Sequence, residues 1–164
     1  MPMGAAMMPW ILAIPLLGMA TGLRSMTPMA VLCWFAYLGY LPVRGTWAEW
    51  TARLAVAILF TALALGEFVA DKLPRTPNRT SPGPLLVRVV LGALAGAIAA
   101  TTLQGAGLEG AVLAGAGALL GAFAGFMIRR EVVHKLACRD WPVALVEDAC
   151  AILGAMFALH VIAG

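Results

Sequence analysis

Six apolar runs, separated by short polar or turn-rich joints, organise this chain at roughly 5–21, 28–42, 51–70, 85–103, 110–128 and 141–163. Each is about 15–23 residues long, close to the ~20 that carry a helix across a ~30 Å hydrocarbon core. None alternates apolar and polar residues with period two, and in lipid the helix is then the solution that satisfies every backbone group. The pattern predicts an all-α, polytopic membrane helical bundle of about six transmembrane helices. The second run is the shortest, and the stretch "GLRSMTP" (22–28) at its start gathers Gly, Arg, Ser and Pro. Five crossings plus a re-entrant segment broken at that stretch is the alternative.

Composition points the same way. Apolar residues make up 62% of the 164 positions and charged residues 12%, and mean hydropathy is +0.93. A soluble domain carries about 25% charged residues. The chain therefore reads as one transmembrane domain over 1–164, with the bilayer as its first partner. The first run has no Lys or Arg before it, so it reads as a retained span rather than a cleaved signal. Cys33, Cys138 and Cys150 include no CxxC pair, and neither a disulfide framework nor a zinc site is expected. A pI near 9.1 would suit nucleic acid. The basic residues flank the spans, however, where they set topology, and no nucleic-acid partner is expected.

With six crossings, Arg24, Lys72, Arg75, Arg79, Arg88, Arg129, Arg130, Lys135 and Arg139 fall on one side, and Arg44 and Arg53 on the other. This bias puts the first side in the cytoplasm and both termini outside it. Trp10, Trp47, Trp50 and Trp141 sit near span ends, as interfacial anchors do. The halves 1–80 and 84–164 each hold three spans, which would make a duplication a 3+3 inverted repeat. "ALGEFVADKL" (64–73) and "ALVEDACAIL" (144–153) share Ala, Leu, Glu and Leu, although Glu67 lies late in its span and Glu147 early.

The polar residues then acquire a place. Glu67 and Asp71 are one turn apart on one helix face at the cytoplasmic end of the third run. Glu147 lies about 9 Å up the sixth run from Trp141, with Asp148 beside it. Arg88 is one turn into the fourth run from the same side. Arg24, Ser25 and Thr27 occupy the first cytoplasmic joint, and Lys72, Asn78 and Arg79 the second. An Asp at mid-membrane costs about 2.5–3.5 kcal/mol on insertion scales, so these carboxylates should face the bundle interior. There they would be paired with Arg24, Arg88 and Lys72 or with a bound cation; which metal, if any, is left open. Glycines supply packing, with Gly117, Gly121 and Gly125 four apart on the fifth run and Gly92 and Gly96 on the fourth. Small residues let helix backbones approach in lipid, within one bundle or, as the other reading, across a homodimer.

At "TGLRSMTP" (21–28), "LGEFVADKLPRTPNRTSP" (65–82) and "ALVEDACAI" (144–152) the chain resembles the bacterial membrane proteins grouped as domain of unknown function four-one-two-six. The resemblance spans nearly the whole chain. It implies a multi-spanning bacterial membrane protein and carries no activity with it; the inner membrane is the expected location. The family's recurring phrases correspond here to Arg24, Thr27, Pro28, Glu67, Asp71, Lys72, Pro74, Arg79, Glu147 and Asp148. "GEFVADKLP" also looks like the acidic signature of manganese and calcium transporters built from two three-span repeats. Here Glu and Asp are four apart rather than three, no Gly precedes Asp71, and the second copy is absent.

The leading expectation is a small transporter or channel, in which Glu67, Asp71, Glu147 and Asp148 bind a cation or proton and the basic residues tune them or pair an anionic solute. The alternative is a non-transporting structural or assembly protein whose buried charges only stabilise the bundle. A lipid-headgroup enzyme is third. No GxSxG, HExxH or P-loop occurs, so neither enzymatic activity nor a cofactor is expected.

Overall fold

A computed structural model describes residues 9–70, 81–136 and 140–164, with the side chains of Leu136, Asp140 and Trp141 outside that description. The described residues form six α-helices and no strand: α1 (Ile14–Leu23), led in by a π-helical turn at Pro9–Ala13, α2 (Met26–Tyr37), α3 (Leu54–Ala70), α4 (Pro82–Thr102), α5 (Gly107–Leu136) and α6 (Asp140–Ala163). The all-α bundle expected from the apolar runs is what forms.

The boundaries have local causes. Pro15 lacks an N–H and its ring crowds the carbonyl four residues back, and the turn before it is widened to π geometry. Pro28 does more. In a continuous helix its ring would meet the carbonyl of Arg24. Arg24 is instead extended (φ −139°, ψ 118°), ending α1, and Pro28 sits in the first turn of α2, where an N–H would have no helical partner anyway. The break therefore falls inside the stretch 22–28. The second run stops at Tyr37 rather than near 42 because Gly39, at φ +85°, turns the chain out of the helix. The third helix begins at Leu54 rather than 51 because Glu49–Ala52 closes as one 3-10 turn. The fifth continues past the apolar run to Leu136 through "RREVVHKL".

α1 is the hub and packs on α4, α5, α6 and, at their junction, α2; α3 leans chiefly on α2. Register shows the directions. Gly117 faces Pro15 and Gly121 faces Met19, so α1 and α5 run in parallel, whereas Gly96 opposite Gly110 makes α4 and α5 antiparallel. Trp34 Nε1 donates to Thr61 Oγ1 at 3.0 Å along the antiparallel pair α2–α3. At one end of the bundle the Trp10 ring lies on Gly105, and Trp47 Nε1 donates to Thr101 Oγ1 at 3.0 Å. The α1–α2 break lies toward the other end. Helix pairing differs between the halves: α4 lies along α5, whereas α1 and α2 diverge from their two-residue joint.

Small residues make this closeness possible. A Cβ at Gly18 would stand 2.1 Å from the Ala114 carbonyl oxygen, and one at Gly96 would stand 2.2 Å from that of Gly110. Ala114, Ala118 and Ala122 of α5 are buried, while Leu119, Leu120, Phe123 and Met127 face outward. A bundle with alanine and glycine inside and large apolar side chains outside is built for lipid, where packing rather than hydrophobic transfer brings helices together. Three helices, Pro82–Thr102, Gly107–Lys135 and Pro142–Ala163, are long and apolar enough to cross a membrane; Pro9–Leu23, Met26–Tyr37 and Leu54–Ala70 are shorter apolar helices.

Candidate functional site

The break between α1 and α2 lies deep. Arg88 reaches it from the seventh residue of α4, so about 9 Å of α4 runs on beyond that level. Asp148 reaches it from α6 with about 12 Å of helix beyond. The two helices thus form a hairpin that reverses inside the bundle, short of the ends of its neighbours.

A reversal there strands backbone groups. The last carbonyls of α1 and the first N–H groups of α2 lack helical partners, and the break is buried among its neighbours, with Arg24, Ser25 and Arg88 all enclosed. Two oppositely charged side chains serve them. Glu67, from α3, accepts from Ser25 N at 3.0 Å, Ser25 Oγ at 2.8 Å and Met26 N at 2.9 Å, using both carboxylate oxygens. Arg88 donates through Nη1 to the carbonyls of Gly22 at 2.8 Å and Leu23 at 2.6 Å. Arg88 Nη2 also lies 3.4 Å from Glu67 Oε1. Each charge matches the helix end it serves, the anion at an N-terminus and the cation at a C-terminus. Pair and backbone close on one another as a clamp.

Arg24, 2% exposed, anchors the joint from the other side. Its Nε meets Asp148 Oδ1 at 2.5 Å, and its guanidinium lies 5.2 Å from the centre of the Phe68 ring, within range of a cation–π contact. Thr27 is buried, and its hydroxyl has no hydrogen-bond partner among the described residues.

The structure therefore brings together Arg24, Ser25, Glu67, Arg88 and Asp148, with Thr27 alongside. Glu147 parts company. It lies 8% exposed with Arg129 Nη1 at 3.5 Å, in a groove between α5 and α6. Successive helical residues point about 100° apart, so Glu147 and its neighbour Asp148 serve different partners. Asp71, Lys72, Asn78 and Arg79 lie outside the described residues, as does Cys138. Of the glycines, Gly92, Gly96, Gly117 and Gly121 stand at helix–helix contacts within the chain, and Gly125 lines the groove.

Four participants were not singled out from the residues alone. They are the Gly22 and Leu23 carbonyls, the Met26 amide and the Phe68 ring. Pro28, four residues after Arg24, was the available signal for the first three. Among the described residues no group of three or more His, Cys, Asp or Glu is gathered for a metal.

Fold and site together define a class: a helical membrane protein with a hairpin that reverses inside the bundle, its helix ends tied by buried charges. The chain belongs to the family described as Domain of unknown function (DUF4126), whose match covers residues 11–162. No curated protein and no solved structure matches it.

Proposed function

We propose that the charged cluster acts first as a hairpin clamp, which makes the chain a structural membrane protein rather than one that carries a cation on its carboxylates. The occupancy of Glu67 supports this: both oxygens are engaged by Ser25, Met26 and Arg88. Asp148 and Glu147 are likewise each matched with an arginine. Such a cluster has little negative charge left over for a metal ion. Glu67→Gln and Asp148→Asn are expected to lower the thermal midpoint in detergent while proton- and divalent-cation flux in proteoliposomes stays at the protein-free level for wild type and variants alike. Uptake by wild type that Glu67→Gln abolishes at unchanged thermal stability would overturn the reading.

Transport remains the second reading, because one observation favours it. The hairpin reverses inside the bundle, short of the ends of its neighbours, and helices interrupted at membrane depth are a recurring device of carriers. On either reading we place the protein in the bacterial inner membrane, with the break on the cytoplasmic side. Arg24, Arg88, Arg129, Arg130 and Lys135 lie toward that end of the bundle, and Arg44 and Arg53 toward the other, the asymmetry that orients membrane proteins. Alkaline phosphatase fused after Gly164 should be active and a fluorescent protein fused there dark; the reverse pattern would invert the topology.

A further inference from the structure

A threonine hydroxyl in or beside a helix commonly donates to the carbonyl three or four residues back, and this chain keeps to that habit. Thr21 donates to Leu17 O, Thr61 to Ala57 O and Thr101 to Ala97 O, each at 2.8–2.9 Å. Thr46, Thr51 and Thr102 donate to the carbonyls of Val43, Ala48 and Ala99 at 2.6–2.7 Å. Thr27 is the exception among the described threonines. It is 5% exposed, and its hydroxyl has no partner among the described residues. The break explains why. The carbonyls three and four residues back belong to Arg24 and Leu23, on the far side of the joint. Arg24 is extended rather than helical, and the Leu23 carbonyl is held by Arg88. A buried hydroxyl with nothing to bond is costly.

Register gives the direction of Thr27. It lies seven residues before Trp34, two helical turns less about 20°, so the two share a face of α2. Trp34 bonds Thr61 of α3 on that face. Because α3 runs antiparallel, Phe68, seven residues past Thr61, falls level with Thr27, with Glu67 beside it. A carboxylate oxygen has room for about two hydrogen bonds. Among the described residues, Glu67 Oε1 accepts from Ser25 N and Ser25 Oγ and faces Arg88 Nη2, whereas Oε2 accepts from Met26 N alone. Ala64, one turn before Glu67 on α3, is buried and small. The N–H of Thr27 lies in the first turn of α2, with no helical carbonyl behind it.

We infer that one internal water is bound between Thr27 and Glu67, accepting from the Thr27 hydroxyl and donating to Glu67 Oε2. Buried waters take such places, making about 2–4 hydrogen bonds to polar groups that the chain itself leaves unsatisfied. The inference rests on the clamp. Through this water the carboxylate that holds Ser25 and Met26 directly also holds Thr27, so all three residues that open α2 hang on one anion.

Thr27→Val tests it by the sign of its effect. The two side chains have nearly the same shape and helix propensity, so the hydroxyl is what changes. With the water in place the variant loses a hydrogen bond, and its thermal midpoint in detergent should fall by about 2–4 °C, the shift that one such bond makes in a chain of this size. A hydroxyl buried without a partner predicts the opposite, a midpoint at or above wild type, which would overturn the inference. A structure of the full chain at a resolution that shows waters should place one within ~3.2 Å of both Thr27 Oγ1 and Glu67 Oε2, and none there in Thr27→Val. No such water in a wild type whose Ser25 and Met26 amides resist hydrogen exchange would remove the water and leave the clamp standing. Rapid exchange of those amides would remove both.

Discussion

Glu67→Ala is expected to destabilise the protein by about 3–5 kcal/mol, the range seen when one member of a buried ion pair is deleted. The change removes the acceptor for Ser25 N and Met26 N and takes the nearby anion from Arg88. Glu67→Gln keeps an acceptor of similar shape and should lose less, about 1.5–3 kcal/mol, the worth of a hydrogen bond to a charged group. The double variant Glu67→Met, Arg88→Met separates a clamp from an ordinary ion pair. Replacing both members of an ordinary buried pair by apolar residues is often neutral or stabilising. Here four backbone groups, the Ser25 and Met26 amides and the Gly22 and Leu23 carbonyls, would lose their charged partners, at about 1–3 kcal/mol for each one left unsatisfied. The double variant should therefore unfold at least as readily as Glu67→Ala. A thermal midpoint near that of wild type would reduce the cluster to a simple salt bridge.

Gly22→Leu should yield no folded protein. A Cβ there would lie 2.2 Å from the carbonyl oxygen of Ala118 and 2.6 Å from the amide of Ala122, both backbone atoms of α5 that no rotamer change can move. Overpacking alone costs about 1–3 kcal/mol, and more where the obstruction is rigid. The same displacement would draw the Gly22 carbonyl away from Arg88. Gly66→Leu is the matched control, one residue from Glu67, with open space where its Cβ would go. It exchanges the poorest non-proline helix former for one of the best, a gain of up to about 1 kcal/mol. Size-exclusion profiles and melting curves in one detergent should show Gly66→Leu at or above wild type and Gly22→Leu aggregated. Aggregation of both would mean that the site tolerates no change of any kind.

Much of this architecture could be read from the residues, for physical reasons that also mark the limit. The six helices follow from apolar runs of nearly bilayer length, and their ends shift only where local chemistry intervenes, as at Gly39. α5 runs on to Leu136 because beyond the lipid a helix no longer needs an apolar exterior. The break at Arg24 was legible because proline constrains the chain four residues back. What meets at the break was less so. The spacing of Gly117 and Gly121 announces a close-packed face, but the identity of its partner, α1 of the same chain, is a tertiary fact. Glu67 and Asp148 do gather with Arg24 and Arg88, as a cost argument for buried charge anticipates. That argument is blind to backbone, however, and cannot foresee that both Glu67 oxygens are engaged by Ser25, Met26 and Arg88. Depth along the sixth run puts Glu147 at the level of the cluster but does not fix its direction: Asp148, one residue on, meets Arg24, whereas Glu147 meets Arg129.

Everything argued for the site depends on one anion holding the first amides of α2 inside the bundle. Hydrogen exchange at Ser25 and Met26, followed in lipid nanodiscs for wild type and Glu67→Gln, tests that most directly. The clamp predicts that both amides exchange as slowly in wild type as the interior of α4, and that Glu67→Gln speeds these two while leaving α4 unchanged. Rapid exchange of Ser25 and Met26 in wild type, with α1 and α2 on either side still protected, would contradict it.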